Sequence, residues 1–205
     1  MLAEAVTAGI EYSILLKRDG SSVWGTGEKD YSQIGDASSG LKSTFVQVMA
    51  SGVKAVAAGR RHSMVLKQDG SVWVAGDYKY GQLGDASVLL KSSFVQVIFS
   101  DAAAIAAGYD HDHGMVLKQD GSVWATGRSD FGQLGNGLVS PGSTLVKVIS
   151  IATKAVAAGG YHSMVIKDDG SVWASGANGQ GQLGDGSTLS KHKYSRETFC
   201  ICAIV

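Results

Sequence analysis

The residues best suited to chemistry in this chain lie together in one short segment. Tyr109-Asp110-His111-Asp112-His113 brings two imidazoles and two carboxylates close together. His-x-His with acidic neighbours is a pattern that suits zinc or copper. The equivalent segments elsewhere in the chain offer no matching cluster to complete a coordination shell. We therefore predict no metal site and interpret the segment as an irregular, exposed loop that is a candidate contact for a partner.

Other candidate motifs do not indicate catalysis. Gly-Gln-Leu-Gly segments such as the one at Gly81–Gly84 are rich in glycine but lack the Lys and Ser or Thr that follow in a phosphate-binding loop. Cys200 and Cys202 form a lone C-x-C pair without the second half of a zinc site. No Ser/His/Asp or Cys/His constellation stands out. We predict a non-enzymatic protein that uses no cofactor.

These motifs recur along the chain. Asp-Gly-Ser followed closely by Val-Trp occurs four times, at intervals of about 50 residues. The glycines of this motif are Gly20, Gly70, Gly121 and Gly170. Such a period indicates one supersecondary unit copied in tandem. We predict repeats at about residues 1–50, 51–101, 102–151 and 152–190, with function on an extended surface rather than in one cleft.

The sequence pattern of each repeat predicts about four short strands. In the second repeat, the alternating run from His62 to Lys67 is followed by Asp69-Gly70. This dipeptide predicts a hairpin with a two-residue type I′ turn, because Asp tolerates positive φ and Gly accepts it freely. A small-residue segment precedes the run, and an apolar segment at Phe94–Val97 follows it. Four such strands are the content of one propeller blade, so we predict an all-β, propeller-like array.

A ring with a polar tip occupies the same place in every repeat. Tyr12 stands in the first repeat where His62, His113 and His162 stand in the others. Because Tyr replaces His within the chain, metal ligation does not explain the position. We predict that these rings bridge strands by hydrogen bonding.

The repeats resemble those of the regulator of chromosome condensation family. The pattern AAG-x-x-HS-x-x-L-K-x-DG-x-V-W-x-x-G-x-x-x-x-GQLG is nearly complete at Ala57–Gly84 and Ala157–Gly184, and the resemblance extends over about residues 5–185. It implies a β-propeller, seven-bladed in family members, and functions that include guanine-nucleotide exchange on a small GTPase. It also suggests light sensing by clustered tryptophans, which Arg61 and Tyr161 disfavour because they stand where that function places a tryptophan.

The chain departs from the family pattern in two ways. It has only four repeats, and its fourth repeat runs into residues 191–205, which lack an apolar strand like Phe94–Val97. We therefore predict a partial or open relative of the seven-bladed propeller, with a degenerate tail over 191–205. A compact four-bladed ring, self-association, completion of the propeller by another chain and a piece of a longer protein remain alternatives. Exposed strand edges in an open arc would favour association.

The composition disfavours two classes of partner. Lys plus Arg and Asp plus Glu number 18 each, so no net charge attracts nucleic acid or an acidic membrane surface. No apolar run approaches the roughly 20 residues that span a bilayer. The first residues enter the first repeat without the pattern of a signal peptide. We expect a protein partner, no nucleic acid, no membrane span and an intracellular location.

Loops that vary on a constant frame are the candidate contact sites. Residue types differ between repeats just before the Tyr/His ring position and just before each Gly-Gln-Leu-Gly segment. The candidates are Arg60, Arg61, Tyr78, Lys79, Tyr80, Tyr109, Asp110, His111, Asp112, Arg128 and Tyr161. We predict an interaction or scaffold module, such as an accessory subunit of a larger complex. The alternative is guanine-nucleotide exchange or another regulatory action on a small GTPase.

Overall fold

Four antiparallel β-sheets of four strands each make up the fold. The computed structural model describes residues 2–18, 22–28, 30–38 and 40–197, and these residues form sixteen strands. No helix that is long and apolar enough to cross a membrane is found among them. The prediction of an all-β array of four-stranded units is confirmed.

The strands follow one another in chain order within each sheet, so every sheet is a meander. The first sheet contains β1 Ala3–Ala8, β2 Tyr12–Lys17, β3 Val23–Gly27 and β4 Lys42–Met49. The second contains β5 Val53–Ala58, β6 His62–Lys67, β7 Val72–Gly76 and β8 Lys91–Ile98. The third contains β9 Ala102–Ala107, β10 His113–Lys118, β11 Val123–Gly127 and β12 Gly142–Ile149. The fourth contains β13 Thr153–Ala158, β14 His162–Lys167, β15 Val172–Gly176 and β16 Lys191–Arg196.

Neighbouring sheets pack face to face around their first strands. Strand β5 contacts β1 on one side and β9 on the other, and β9 in turn contacts β13. The alanine-rich first strands therefore lie where the sheets crowd together, and small side chains allow this close approach. Each sheet thus has a leading face toward the preceding sheet and a trailing face toward the following one.

The core consists of three apolar clusters, one at each junction between neighbouring sheets. At the first junction, Ile14 and Leu16 on the trailing face of the first sheet pack with Val53 and Val65 of the second sheet, and Trp73 packs against the same cluster. Equivalent residues of the second and third sheets, and of the third and fourth, form the other two clusters. Burial of apolar surface between sheets is therefore the main stabilising contribution.

The sheets do not close into a ring. On the leading face of the first sheet Val6 is 71% exposed, whereas its equivalent Val56 packs into the first cluster. On the trailing face of the fourth sheet Ile166 is 37% exposed, whereas the equivalent Leu66 is fully buried. The first and fourth sheets therefore present exposed faces, rather than the exposed strand edges predicted from the sequence.

The Asp-Gly turns differ from the predicted type. Gly70 has a φ of 79°, but Asp69 is not among the residues with positive φ. The Gly70 N–H donates to the Lys67 carbonyl over 3.1 Å, and the Lys67 N–H donates to the Ser71 carbonyl over 2.9 Å. The loop thus has three residues and ends in one left-handed glycine. The type I′ prediction was wrong, since only the glycine needs positive φ. Asp19-Gly20 lies outside the described residues.

The repeated Asp-Gly-Ser-Val-Trp motif is a hydrogen-bonded unit. Ser71 Oγ donates to Asp69 Oδ1 over 2.6 Å, and Trp73 Nε1 donates to Ser71 Oγ over 3.0 Å. The same tryptophan-to-serine bond, at 3.0 to 3.1 Å, joins Trp24 to Ser22, Trp124 to Ser122 and Trp173 to Ser171. The serine hydrogen bonds lower the pKa of the Asp69 carboxyl. This unit fixes the indole against its own hairpin.

The fourth sheet is complete, although the sequence predicted that its last strand was lost. Lys191–Arg196 form β16, which pairs antiparallel with β15. Tyr194 takes the place of Phe94, and a Cβ added at Gly135 would collide with its ring. One aromatic side chain that fills this space is sufficient, so a largely polar segment still forms the strand. Residues 198–205, including Cys200 and Cys202, lie outside the described residues.

Replacing Ser122 with alanine tests the turn unit. The buried Ser122 hydroxyl accepts the Trp124 indole hydrogen bond at 3.1 Å and bonds to Asp120. Losing both hydrogen bonds should lower the free energy of unfolding by about 1 kcal/mol. Chemical denaturation measures the loss, with the exposed Ser92→Ala as control. Equal effects of the two substitutions would show that the unit adds no stability.

Candidate functional site

Both groups of predicted contact residues lie at the same end of the sheets. In each sheet, the Tyr/His ring position lies at the start of the second strand and pairs with the glycine that ends the third strand. His62 pairs with Gly76, and His113 pairs with Gly127. The short loops before the ring positions therefore lie beside the longer loops that follow the third strands. The short loops are 9–11, 59–61, 108–112 and 159–161, and the longer loops comprise the described residues of 28–41, 77–90, 128–141 and 177–190. We call this end of the array the loop face.

The Gly-Gln-Leu-Gly segments hold the longer loops in a constant shape. Gln82 Oε1 accepts a hydrogen bond from the Tyr80 N–H at 2.9 Å. Gln33, Gln133 and Gln182 make the same contact two residues upstream at 2.9 to 3.1 Å. The residue after each glutamine is fully buried, as Leu83 shows at 1% exposure. The frame is therefore fixed from inside, while the preceding residues are free to differ in type.

The loops of the second and third sheets are joined by polar contacts. Arg60 Nη1 donates to the Asp110 carbonyl at 3.3 Å and lies 3.9 Å from Asp110 Oδ1. The Arg61 N–H donates to Asp112 Oδ1 at 3.2 Å. Asp112 is only 1% exposed, so its side chain is not accessible to a partner. Its hydrogen bond to the Arg61 N–H anchors the neighbouring loop of the second sheet.

His111, Phe131 and Tyr161 form an aromatic cluster across the third and fourth sheets. The ring centroids of His111 and Tyr161 lie 3.9 Å apart, and Phe131 meets Tyr161 edge-on at 5.4 Å. Burial lowers the pKa of His111, while a hydrogen bond to Asp110 raises the pKa of Tyr161. Phe131 was not among the individual candidates, because its closeness to His111 depends on the two loop types sharing one end.

Exposed tyrosines and cations continue the loop face. Arg128 Cζ lies 4.4 Å from the Tyr80 ring centroid, and Lys79 Nζ lies 5.5 Å from the same centroid. Tyr78 and Tyr109 are 37% and 58% exposed. Aromatic rings beside cations in this arrangement offer both apolar and charged contacts to a partner.

A group of carboxylates occupies the first-sheet end of the loop face. Glu11, Glu28 and Asp30 line a depression of about 280 Å³ together with Arg60 and Arg61. A hydrogen bond to Glu11, with burial and the charges of Glu11 and Asp30, raises the pKa of Glu28. Arg61 lies over the Tyr31 ring, with 4.0 Å from its Cζ to the ring centroid. Three carboxylates and two arginines therefore lie together at this end of the loop face, while Arg128 pairs with Asp130 farther along it.

The two histidines of the metal-like motif point to different surroundings. His111 belongs to the aromatic cluster, whereas His113 is fully buried and hydrogen-bonded to Ser163 across the next junction. Within the described ranges, no group of three or more His, Cys, Asp or Glu side chains is placed to hold a metal ion.

The repeated ring position links neighbouring sheets. The Tyr12 hydroxyl lies 3.2 Å from Ser63 Oγ, and His113 Nε2 lies 2.9 Å from Ser163 Oγ. Ser163 donates its one hydrogen to the Gln133 carbonyl at 2.8 Å, so His113 Nε2 is the donor to Ser163. The prediction that these rings bridge strands by hydrogen bonding is confirmed for Tyr12 and His113. Both members of the Ser163–His113 pair are fully buried, so they do not form an accessible nucleophile.

His62 breaks this pattern. Gly114 stands in the third sheet where Ser63 and Ser163 stand in the second and fourth. Among the described residues, neither ring nitrogen of the buried His62 has a hydrogen-bond partner. The backbone carbonyl of Gln82, equivalent to those of Gln33 and Gln133, lies 3.8 Å from a Cβ added at Gly114. The bridging prediction was therefore wrong at this junction.

An open array of four-stranded meanders with repeated Gly-Gln-Leu-Gly loops defines a propeller-type repeat protein. A family model described as the regulator of chromosome condensation (RCC1) repeat matches residues 53–82, 102–133 and 153–182. A second model of the same description matches residues 120–166. The chain belongs to the RCC1 repeat family.

Solved structures share this fold. Yeast RCC1 (Prp20) bound to Kap60 has a TM-score of 0.83 at 23% identity, over 97% of this chain and 49% of that chain. Human WBSCR16 has a TM-score of 0.85 at 19% identity, over 97% and 53%. Prp20p from Saccharomyces cerevisiae has a TM-score of 0.82 at 22% identity, over 97% and 51%. The chain spans about half the length of these structures.

The buried His113 should make stability depend on pH. Burial lowers its pKa to about 3 in the folded chain, compared with about 6.5 in an unfolded chain. The unfolded chain therefore binds a proton between these values that the folded chain does not, so the free energy of unfolding should fall as pH drops below about 6.5.

Substituting His113→Tyr, the ring that Tyr12 provides in the first sheet, should remove this contribution. We expect the pH slope of the unfolding free energy to decrease by about 1 kcal/mol per pH unit between about pH 5 and 6. Urea denaturation across this range measures the slope. His111 and His162 also contribute to the pH dependence of the unfolding free energy, but they are present in both proteins, so their contribution cancels in the comparison. An unchanged slope would contradict the account.

Substituting Gly114→Ser should restore the missing bridge. The new hydroxyl can donate to the Gln82 carbonyl and accept from His62, and the added Cβ would lie 3.1 Å from Met64 Sδ in a flexible side chain. Gly114→Ala adds the same Cβ without the hydroxyl. We expect the serine variant to exceed the alanine variant by about 1 kcal/mol in unfolding free energy. Equal stability of the two would exclude the bridge.

Proposed function

We propose that this chain is a non-enzymatic interaction module that binds a protein partner through its loop face. The observation that carries the proposal is that both sets of variable loops lie at one end of a constant frame. Loops held by a rigid scaffold are common positions for binding residues. A module that has a constant frame and variable surface loops is suited to an accessory role within a larger assembly.

The side chains of the loop face suit a protein surface. Tyr and Arg are enriched among the residues that dominate binding energy at protein interfaces. Tyr78, Tyr109 and Phe131 are more than a third exposed, and Arg60 and Arg128 lie close by on the same face. The expected partner combines acidic and apolar groups opposite this region.

The first-sheet end of the loop face would contact a basic group of the same partner. Glu11, Glu28 and Asp30 concentrate carboxylates there, and the raised pKa of Glu28 reflects their closeness. A Lys or Arg side chain of the partner would add to Arg60 and Arg61, which line the same depression, in offsetting this repulsion. The two ends of the face together fix the orientation in which the partner docks.

The relatives support a protein as the class of partner. Yeast Prp20 is solved in complex with Kap60, and Prp20p is described with its binding to Gsp1p and histones. The present chain spans about half of that protein, so these particular partners are not carried over. The balance of 18 basic and 18 acidic residues offers no net attraction for nucleic acid.

Regulation of a small GTPase is the second candidate, and it rests on the Gsp1p binding described for Prp20p. Incubation with a panel of GDP-loaded small GTPases tests it directly. Accelerated GDP release that is lost when the loop face is altered would support this candidate. Unchanged release across the panel would exclude exchange activity and leave the interaction module.

Reversing charge on the loop face should weaken partner capture. We expect the double variant Arg60→Glu and Arg128→Glu to recover at least about tenfold less of a specific partner from a source extract, a loss of about 1.4 kcal/mol. Quantitative mass spectrometry of the captured proteins measures the ratio.

The matched control carries the same charge change at the opposite end of the sheets, at the exposed Arg18 and Arg196. It should capture the partner like the unaltered chain. If both double variants capture equally, or lose capture equally, the loop face is not the binding surface.

A further inference from the structure

A depression lies at the third junction, between the third and fourth sheets. Its volume is about 390 Å³, and its lining includes Asn136, Lys167, Trp173, Lys193 and Tyr194. None of its lining residues in the described part of the chain carries a carboxylate. Small ligands commonly bind in depressions of this size that combine apolar walls with a few polar groups. We call this depression the lysine pocket.

The indole ring of Trp173 lacks the lysine cover that the other tryptophans have. In the first three repeats, the lysine that ends the second strand lies over the tryptophan of the same repeat, with 4.2 to 5.0 Å from Nζ to the ring centroid. These lysines are Lys17, Lys67 and Lys118. Among the described residues, no cation lies over Trp173, whose side chain is half-buried. The ring therefore offers an open surface within the pocket.

Thr153 accounts for the position of the equivalent lysine in the fourth sheet. Lys167 Nζ donates to the Ile151 carbonyl at 2.5 Å and lies 3.4 Å from Thr153 Oγ1. Val53 and Ala102 stand at the equivalent places and offer no hydroxyl to their lysines. An ammonium group has three N–H donors, so one of those on Lys167 remains for an anion in the pocket.

Lys193 adds a cation that the other junctions do not have. It forms the β-bridge with Asn136 that Ser93 and Thr144 form at the first and second junctions. The lysine stem lies against Gly137, because a Cβ added at this glycine would lie 2.6 Å from Lys193 Cε. The first two repeats have alanine at the place of this glycine. Within the described ranges, Lys193 forms no ion pair.

Asn136 removes a negative charge that is present at the other junctions. Asp36 and Asp85 stand at this place in the first and second repeats, where each pairs with a lysine at 3.6 and 3.3 Å. In the third repeat Gly142 replaces that lysine, so both members of the ion pair are missing. The Asn136 side-chain amide can donate a hydrogen bond to an anion, whereas an aspartate would repel it.

The equivalent depression at the second junction provides the comparison. It has a volume of about 300 Å³ and is lined by Asp101, Lys118 and Trp124 among others. There Asp101 balances the charge of Lys118, and Lys118 covers the indole. Ala152 stands at the place of Asp101 beside the lysine pocket. The changes at the third junction thus all make the site more positive or its indole more open, which points to a ligand.

We propose that the lysine pocket binds a small anion that carries an aromatic ring. Lys167 and Lys193 would hold its phosphate or carboxylate group, because lysine ammonium groups form charge-assisted hydrogen bonds with such anions. The ring of the ligand would stack on Trp173. The pocket contains none of the candidate contact residues of the loop face, so the inference goes beyond the proposed function and does not depend on it.

Phenyl phosphate is the probe that tests the proposal, and the four indole N–H signals in proton–nitrogen correlation spectra are the readout. We expect a saturable shift of the Trp173 signal, which Trp173→Phe identifies. The signals of Trp24, Trp73 and Trp124 should move far less, because lysines cover these rings. Equal shifts of all four signals would overturn the pocket.

Fragments of the probe separate its two parts. Inorganic phosphate keeps only the anion and benzyl alcohol only the ring, and each should bind at least about tenfold more weakly than phenyl phosphate. Benzoate distinguishes a carboxylate from a phosphate as the preferred anion. The proposal fails if neither benzoate nor phenyl phosphate shifts the Trp173 signal selectively.

Lys193→Ser gives the pocket the residue of the first junction. It should weaken phenyl phosphate binding at least about tenfold, while circular dichroism shows the same fold. Lys54→Ser removes the same charge from an exposed lysine on β5, and it should leave the affinity unchanged. Equal losses in the two variants would show that charge alone attracts the anion, and would overturn a specific site.

Thr153→Val tests the open indole. Without the hydroxyl, Lys167 should return to Trp173, as Lys67 lies over Trp73 in the repeat that contains Val53. We expect the affinity for phenyl phosphate to fall to that of inorganic phosphate, while urea denaturation shows that the variant is folded. An unchanged affinity would contradict stacking of the ligand on Trp173.

Discussion

A four-stranded sheet has two faces, and the packing of one sheet against the next is the interaction on which this structure depends. Each sheet is a short meander that buries little apolar surface alone. Ile14 and Leu16 become buried only because the second sheet covers them. Stability in such an array is a sum of units and of the junctions between neighbours. The same constraint explains why Val6 and Ile166, on the outer faces of the first and fourth sheets, are exposed within the described part of the chain.

The constancy of the junctions is what allows the loops to vary. The Gln82 amide and the buried Leu83 hold their loop from inside, whereas the side chain of Tyr78 is 37% exposed. Residues that do not hold the frame together are available for recognition. The buried Asp112 marks the boundary between the two roles, because it lies within a variable loop and yet supports the backbone of Arg61.

The repeat architecture was predictable from the sequence because each strand and hairpin has a local signal. The alternating run at His62–Lys67 and the following Asp-Gly specify a hairpin regardless of its neighbours. The turn type was not predictable, because Gln68 joins the loop and only Gly70 adopts positive φ. Strand β16 was missed for a different reason, since the space beside Gly135 that accepts Tyr194 exists only in the folded array.

The candidate residues of the loop face were predictable only as separate loops. Variation at Arg60-Arg61 and at Tyr78–Tyr80 is visible in the sequence, but their common location requires the register of His62 with Gly76. The contact of Phe131 with Tyr161 and the grouping of Glu11 with Glu28 are likewise tertiary. The missing partner of His62 follows from a single change, Gly114 in place of serine, whose effect appears only across a junction.

The most direct test of the account compares the unfolding free energies of Gly135→Ala and Gly184→Ala. Both glycines have positive φ, 74° and 77°, so the backbone strain of alanine is the same. Only Gly135 faces a side chain from a following sheet. Gly135→Ala should cost at least about 1 kcal/mol more than Gly184→Ala. Equal costs would contradict the claim that sheet junctions determine stability.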